Sequence, residues 1–129
     1  MSSKGEIVEG DKLIAEFMEL KGFEDSRYGW MWLNPVSDGV HEKETFSLKY
    51  NTSWDWLMQV VDKIESLGYM HCVEKLNEIQ HRSFFNESKM VNEVANGARS
   101  EKKLEAVWLS VIDFIKTMEN LNRNLIWKQ

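Results

Sequence analysis

Tyr28, Trp30, Trp32, Tyr50, Trp54 and Trp56 crowd into one stretch of a chain that holds six tryptophans in 129 residues. Indole and phenol rings offer flat apolar faces with one polar atom each, and such faces suit nucleobases and similar ring systems. Arg27 and Lys49 lie beside these rings in sequence, and Arg82 lies further along. Cationic side chains hold phosphate through charge-assisted hydrogen bonds. The combination predicts a site for a small, anionic, nucleotide-like ligand, with these six aromatics and three cations as candidate contacts. Core packing is the competing use of every one of these rings, because large aromatics are mostly buried. Trp54 and Trp56 stand about 200° apart on a helix, so one narrow seam does not take both.

Catalytic patterns are missing from the sequence. It has no glycine-rich phosphate loop, no nucleophile elbow, no pair of histidines at helical spacing and no second cysteine to partner Cys72. His71 and Cys72 are adjacent, so on a strand they point to opposite faces. His41, His71 and His81 are separated in sequence. These features predict a non-enzymatic protein without cofactor or metal.

Charge narrows the partners further. Sixteen Lys and Arg against 21 Asp and Glu give a net charge of −5. Nucleic-acid binders need a basic face for their phosphate contacts, so DNA and RNA are not expected partners. A small anion needs only one or two cations in a pocket. No apolar run approaches the roughly 18 residues of a membrane span, and the N-terminal residues lead into an acidic segment rather than an apolar leader core. The expected location is the cytoplasm.

The elements that must position these residues follow from hydrophobic period. Leu13, Ile14, Phe17 and Met18 predict a helix over about 8–21, stopped by Gly22. Tyr28, Trp30 and Trp32 alternate as in a strand ended by Pro35, with a turn at 37–39. A second strand over 44–50 carries Phe46, Leu48 and Tyr50 on one face, and a hairpin joins the two. Thr52 and Asp55 resemble a capping box for a helix running to Leu67, where Gly68 stops it. Its stripe is Trp54, Leu57, Met58, Val61 and Ile64, widened by Trp56 and Val60. Residues 69–73 and 80–85 read as a second hairpin, and 90–95 as a further short strand. Ser100 opens a last and longest helix to about Asn120, built on Leu104, Val107, Trp108, Val111, Ile115 and Met118. The expected fold is one α+β domain over residues 1–129, an antiparallel sheet of about four or five strands covered by three helices. Leu125, Ile126 and Trp127 add an apolar tail, which predicts a homo-oligomer formed through the last helix or that tail.

The segment Leu48-Lys49-Tyr50-Asn51-Thr52-Ser53-Trp54-Asp55-Trp56-Leu57-Met58 resembles a family of small uncharacterised bacteriophage and prophage proteins. The likeness continues through Val60-Val61-Asp62-Lys63-Ile64-Glu65, and includes residues 12–18, 103–107 and 114–116. Gln59 stands where that family carries proline, and residues 70–99 match little of it. The resemblance transfers no site residue. It implies a phage accessory protein acting inside a bacterial host cell. In that setting the aromatic cluster predicts a protein that sequesters a nucleotide-derived immune signal without turnover. The alternative is a non-enzymatic inhibitor or regulator that binds a host or phage protein directly.

Overall fold

A computed structural model describes residues 4–36, 44–45, 47–87 and 98–127, with backbone alone for Glu44, Glu87 and 121–127. The expected turn at 37–39, the strand at 90–95, and the residues His41 and Phe46 lie outside the described residues. The elements are α1 (Lys4–Phe17), β1 (Gly22–Asp25), β2 (Gly29–Leu33), β3 (Glu44–Thr45), α2 (Trp54–Ser66), β4 (Tyr69–Lys75), β5 (His81–Glu87), β6 (Ala98–Ser100) and α3 (Lys103–Trp127). The fold is α+β, with three helices and antiparallel strands. The strands form two small sheets, β1-β2-β3 and β4-β5-β6, rather than one, and β3 is only two residues long.

The expected second strand over 44–50 is cut to Glu44–Thr45. Leu48 and Tyr50 do not continue a strand. The chain bends after Thr45 and turns at Tyr50, so that Lys49 O accepts the N–H of Thr52 and of Ser53. Ser53, not Thr52, caps α2, its Oγ accepting the Trp56 N–H at 3.4 Å. The Thr52 hydroxyl instead donates back to Lys49 O.

Helix α1 ends four residues earlier than its apolar pattern suggests. Glu19 takes a left-handed conformation (φ 55°), and Leu20 N–H reaches back to Ala15 O, a helix stop usually built on glycine. The chain then has room for β1, which the period had hidden. Lys63 of α2 donates to Phe17 O and lies 4.4 Å from the Phe17 ring centroid, satisfying a terminal carbonyl of α1 with a cation. Asp25 turns β1 into β2 by accepting the N–H groups of Arg27 and Tyr28.

Helix α2 buries Trp56, Leu57, Val60, Val61 and Ile64, leaving Trp54 and Met58 exposed. Its packed face is thus rotated from the expected stripe. Gly68, at φ 102°, ends it as expected. Gln59 Nε2 donates to Pro35 O at 3.0 Å and ties the segment after β2 to α2. Helix α3 starts at Lys103, with Ser100 in β6. The Ser100 hydroxyl accepts the Lys102 N–H and donates to Glu105. Its buried face of Val107, Val111, Phe114 and Ile115 meets α2 and the inner face of β4-β5-β6, where Phe114 packs edge-on to Tyr69 and against Phe85.

Helix α1 lies against α3 because Gly10 has no side chain. A Cβ there would fall 2.6 Å from both Ile112 Cδ1 and the Trp108 ring, whereas Gly5 faces open space. Gly10→Ala is expected to lower stability by about 1–2 kcal/mol, overpacking outweighing the gain of a better helix former. Gly5→Ala should be neutral or slightly stabilising. Urea unfolding of the two variants checks this, and equal stabilities would mean that α1 does not seat on Trp108.

Candidate functional site

The structure divides the expected site residues among five places. Tyr50 and Trp56 pack edge to face in the core, with centroids 5.0 Å apart and almost no exposed surface. Neither offers a face to a ligand. Trp30 and Trp32 share one face of β2, edge to face at 5.7 Å, while Met31 points the other way and is buried. The exposed Trp30 ring lies over Gly22, where a Cβ would come within 2.4 Å of it. Arg27 and Tyr28 sit together at the hairpin tip, guanidinium 5.8 Å from the ring centroid. Trp54 is half-exposed at the start of α2, and Lys49 is exposed beside it in the turn. Arg82 belongs to the other sheet, paired with Glu74 at 3.2 Å and lying over Phe84. Of the nine, Trp32 alone lines one of the clefts described next.

A cleft of about 330 Å³ lies between α1, β2 and the 47–51 turn. Half-buried Trp32 is part of its wall, and Lys12, Ser47, Asn51 and Asp11 supply polar groups. A second cleft, of about 360 Å³, is lined by Asn51, Thr52, Lys102, Glu105 and Trp108. Ile7 and Asn51 border both, so the two adjoin. Together they offer an aromatic face at one end and a lysine, a hydroxyl and an amide at the other. Each volume falls in the range of small-molecule sites.

Asp11 is the polar anchor between them. It is 4% exposed, and its Oδ1 accepts the Trp108 Nε1–H at 2.8 Å. Burial pushes its carboxyl up to about 6, against the opposing pull of the Trp108 and Asn51 backbone hydrogen bonds. The neighbouring Tyr50 hydroxyl is buried with no hydrogen-bond partner among the described residues. Burial first, and the Asp11 charge second, hold that hydroxyl well above the usual tyrosine range. Residue type alone did not single out Asp11, but its spacing was a signal: it stands three and four residues before the buried Ile14 and Ala15, on the apolar face of α1.

A second buried polar chain runs between β4, β5 and α3. Ser110 Oγ donates to Val107 O, Ser83 Oγ lies 2.7 Å from Ser110 Oγ, and His71 Nε2 lies 2.8 Å from Ser83 Oγ. The Ser110 proton is committed to the carbonyl. Ser83 must therefore donate to Ser110 and accept from His71, which fixes the proton of neutral His71 on Nε2. Burial, then Lys103, hold His71 below its usual range. Ser83 has no exposed surface, so this chain orders the core rather than presenting a nucleophile. Among the described residues no group of three His, Cys, Asp or Glu could hold a metal, and no helix is long and apolar enough to cross a membrane.

No family model, curated protein or solved structure matches the chain.

Two substitutions test the anchor. The folded protein holds the Asp11 proton up to about pH 6, while the unfolded chain releases it near 3.8. The Asp11 contribution to stability therefore falls as pH rises from about 4 to about 6 and is level above that, a total of about 3 kcal/mol. Asp11→Asn keeps an acceptor for Trp108 and removes the titration. Its stability relative to wild type should climb through that window by this amount in urea melts, and a constant difference would contradict the buried carboxyl. Tyr50→Phe should stabilise the fold by about 1–3 kcal/mol, because it removes an unsatisfied buried hydroxyl.

Proposed function

We propose that the protein binds a small, anionic, nucleotide-like molecule in the paired clefts beside α1 and holds it without turnover. The observation that carries this reading is the adjacency of the Trp32 cleft to the Lys102 cleft across Ile7 and Asn51. A planar base lies against Trp32. A phosphate reaches Lys102, with Lys12 at the rim of the base end. Asp11 accepts an N–H from the base edge where its carboxyl borders the cleft. The resemblance to phage accessory proteins supplies the setting: sequestering a nucleotide-derived immune signal of a bacterial host, as counter-defence. The net charge of −5 opposes anion approach at long range, so affinity in this reading comes from the short-range contacts of the cleft.

One observation favours direct binding of a host or phage protein as a second reading. Tyr28 and Trp30 are 59% and 55% exposed on the β1–β2 hairpin, and aromatic anchors of this kind are enriched in protein interfaces.

Calorimetry against cyclic dinucleotides, cyclic trinucleotides and cyclic ADP-ribose isomers separates the two. The ligand reading expects saturable binding by one class and recovery of that ligand intact after denaturation. Trp32→Leu should weaken binding by about 1–3 kcal/mol, the usual value of a stacked base, and Lys102→Ala by about 1.5–3 kcal/mol. Trp54→Ala should leave it unchanged. Absence of binding across the panel, or conversion of a ligand to product, would contradict the proposal.

A further inference from the structure

Strand β1 is the outer strand of its sheet, with β2 on one side and no described strand on the other. The register that sets Gly22 across from Trp32 also sets Lys21 across from Leu33, and Leu33 N–H donates to Lys21 O. Bonded pairs alternate with unbonded ones in an antiparallel ladder. Phe23 and Asp25 therefore bond to β2, and the N–H and C=O groups of Gly22 and Glu24 point away from it. Among the described residues nothing takes these groups. Unpaired edge groups of this kind are a template for another strand.

The side chains along the edge define the strand that fits. Gly22 and Glu24 share a face with Trp30 and Trp32. Because Gly22 has no side chain, the exposed Trp30 ring lies across β1, its Nε1 2.9 Å from where a Gly22 Cβ would stand. That indole N–H has no hydrogen-bond partner among the described residues. On the other face, exposed Lys21 and half-buried Asp25 flank half-buried Phe23. Cation, ring and carboxylate in that order complement themselves when the strand meets an antiparallel copy centred on Phe23.

We propose that a second copy of this chain adds to β1 edge to edge, the two β1 strands running antiparallel about a two-fold axis beside Phe23. The three-stranded sheets of the two copies then become one continuous sheet. Gly22 of each copy pairs with Glu24 of the other and exchanges both N–H···O bonds with it. Lys21 of each stands across from Asp25 of the other, and the two Phe23 rings meet at the axis. The Glu24 carboxylate of one copy comes beside the Trp30 indole of the other and accepts its N–H. Centring the pair on Glu24 would set two carboxylates face to face, and centring it on Gly22 would set Lys21 across from Phe23, so charge selects the register. The contact is isologous and closes as a dimer. Strand β1 lines neither cleft of the candidate site, so this assembly is independent of the ligand reading. It uses β1 in place of the last helix or tail expected from the sequence.

Light scattering and amide hydrogen exchange by NMR, on the full chain from micromolar to millimolar concentration, test the proposal. At high concentration wild type should have twice the monomer mass. The Gly22 and Glu24 amides should then exchange at least tenfold more slowly than at low concentration, while the Phe23 amide, bonded to β2 in either state, changes less. Glu24→Pro removes an N–H that β2 does not use, at a position where edge strands tolerate proline. It should weaken dimerisation at least tenfold and leave the circular dichroism spectrum unchanged, and so should Lys21→Glu. Asp25→Asn keeps an acceptor for the turn N–H groups of Arg27 and Tyr28 and should weaken the dimer less. A wild type that stays monomeric at high concentration would overturn the proposal. So would a dimer whose Glu24 amide exchanges as fast as the monomer's, or one indifferent to both Glu24→Pro and Lys21→Glu.

Discussion

The carboxyl of Asp11 and the missing side chain of Gly10 act together at one point of contact between α1 and α3. Gly10 lets the Trp108 ring lie against the α1 backbone, and Asp11, the next residue, takes the Trp108 indole N–H. The same carboxyl accepts the Asn51 backbone N–H, which pins the turn before α2. From that turn Tyr50 enters the core and Ser53 caps the helix. The clefts flanking α1 follow from the same seat, since a helix held closely at one residue diverges from its neighbours on either side. Both clefts of the candidate site include residues of α1, and the Lys102 cleft includes Trp108.

This anchor carries a cost. A buried carboxyl and an unpartnered buried hydroxyl are both unfavourable in a low-dielectric interior. Elsewhere the hydroxyls of Ser83 and Ser110 are satisfied and the apolar faces of α2 and α3 are closely packed, although His81 Nδ1, Asn86 Oδ1 and Asp113 Oδ2 are also buried without a hydrogen-bond partner among the described residues. Departures from local consistency concentrate at functional sites in natural proteins. Here one such group, the Asp11 carboxyl, lines the Trp32 cleft, and that links the energetics of the fold to the ligand reading.

Much of the architecture was legible in hydrophobic period. The helices around Leu57 and Val107, the stop at Gly68 and the hairpin of β4 and β5 all follow from spacing and breakers. Period does not say which face of an element the core will see. In β2 the alternation of Trp30 and Trp32 was visible, but the residue that enters the core is Met31. In α2 the arc of Trp56, Leu57, Val60, Val61 and Ile64 won over the arc containing Trp54 and Met58, because the turn fixed by Asn51 and Ser53 sets the helix's rotation. Leu48 and Tyr50 looked like strand positions, since a ring that alternates in a strand and a ring carried inward by a turn have the same local pattern. The site was less legible than the fold. Aromatic density drew the expected site to residues 28–56, yet of those aromatics Trp32 alone lines either cleft of the candidate site. Asn51, Thr52 and Lys102 come together through tertiary contacts that no local spacing encodes.

The tryptophan indole N–H and backbone amide signals in a ¹⁵N correlation spectrum, followed during titration with the ligand class that binds, test the central claim most directly. The account predicts that the Trp32 indole and the Asn51 and Thr52 amides shift together with a common midpoint, while the Trp56 indole in the core stays in place. Shifts confined to Trp30 and the hairpin tip around Tyr28, with Asn51 and Thr52 unmoved, would contradict it.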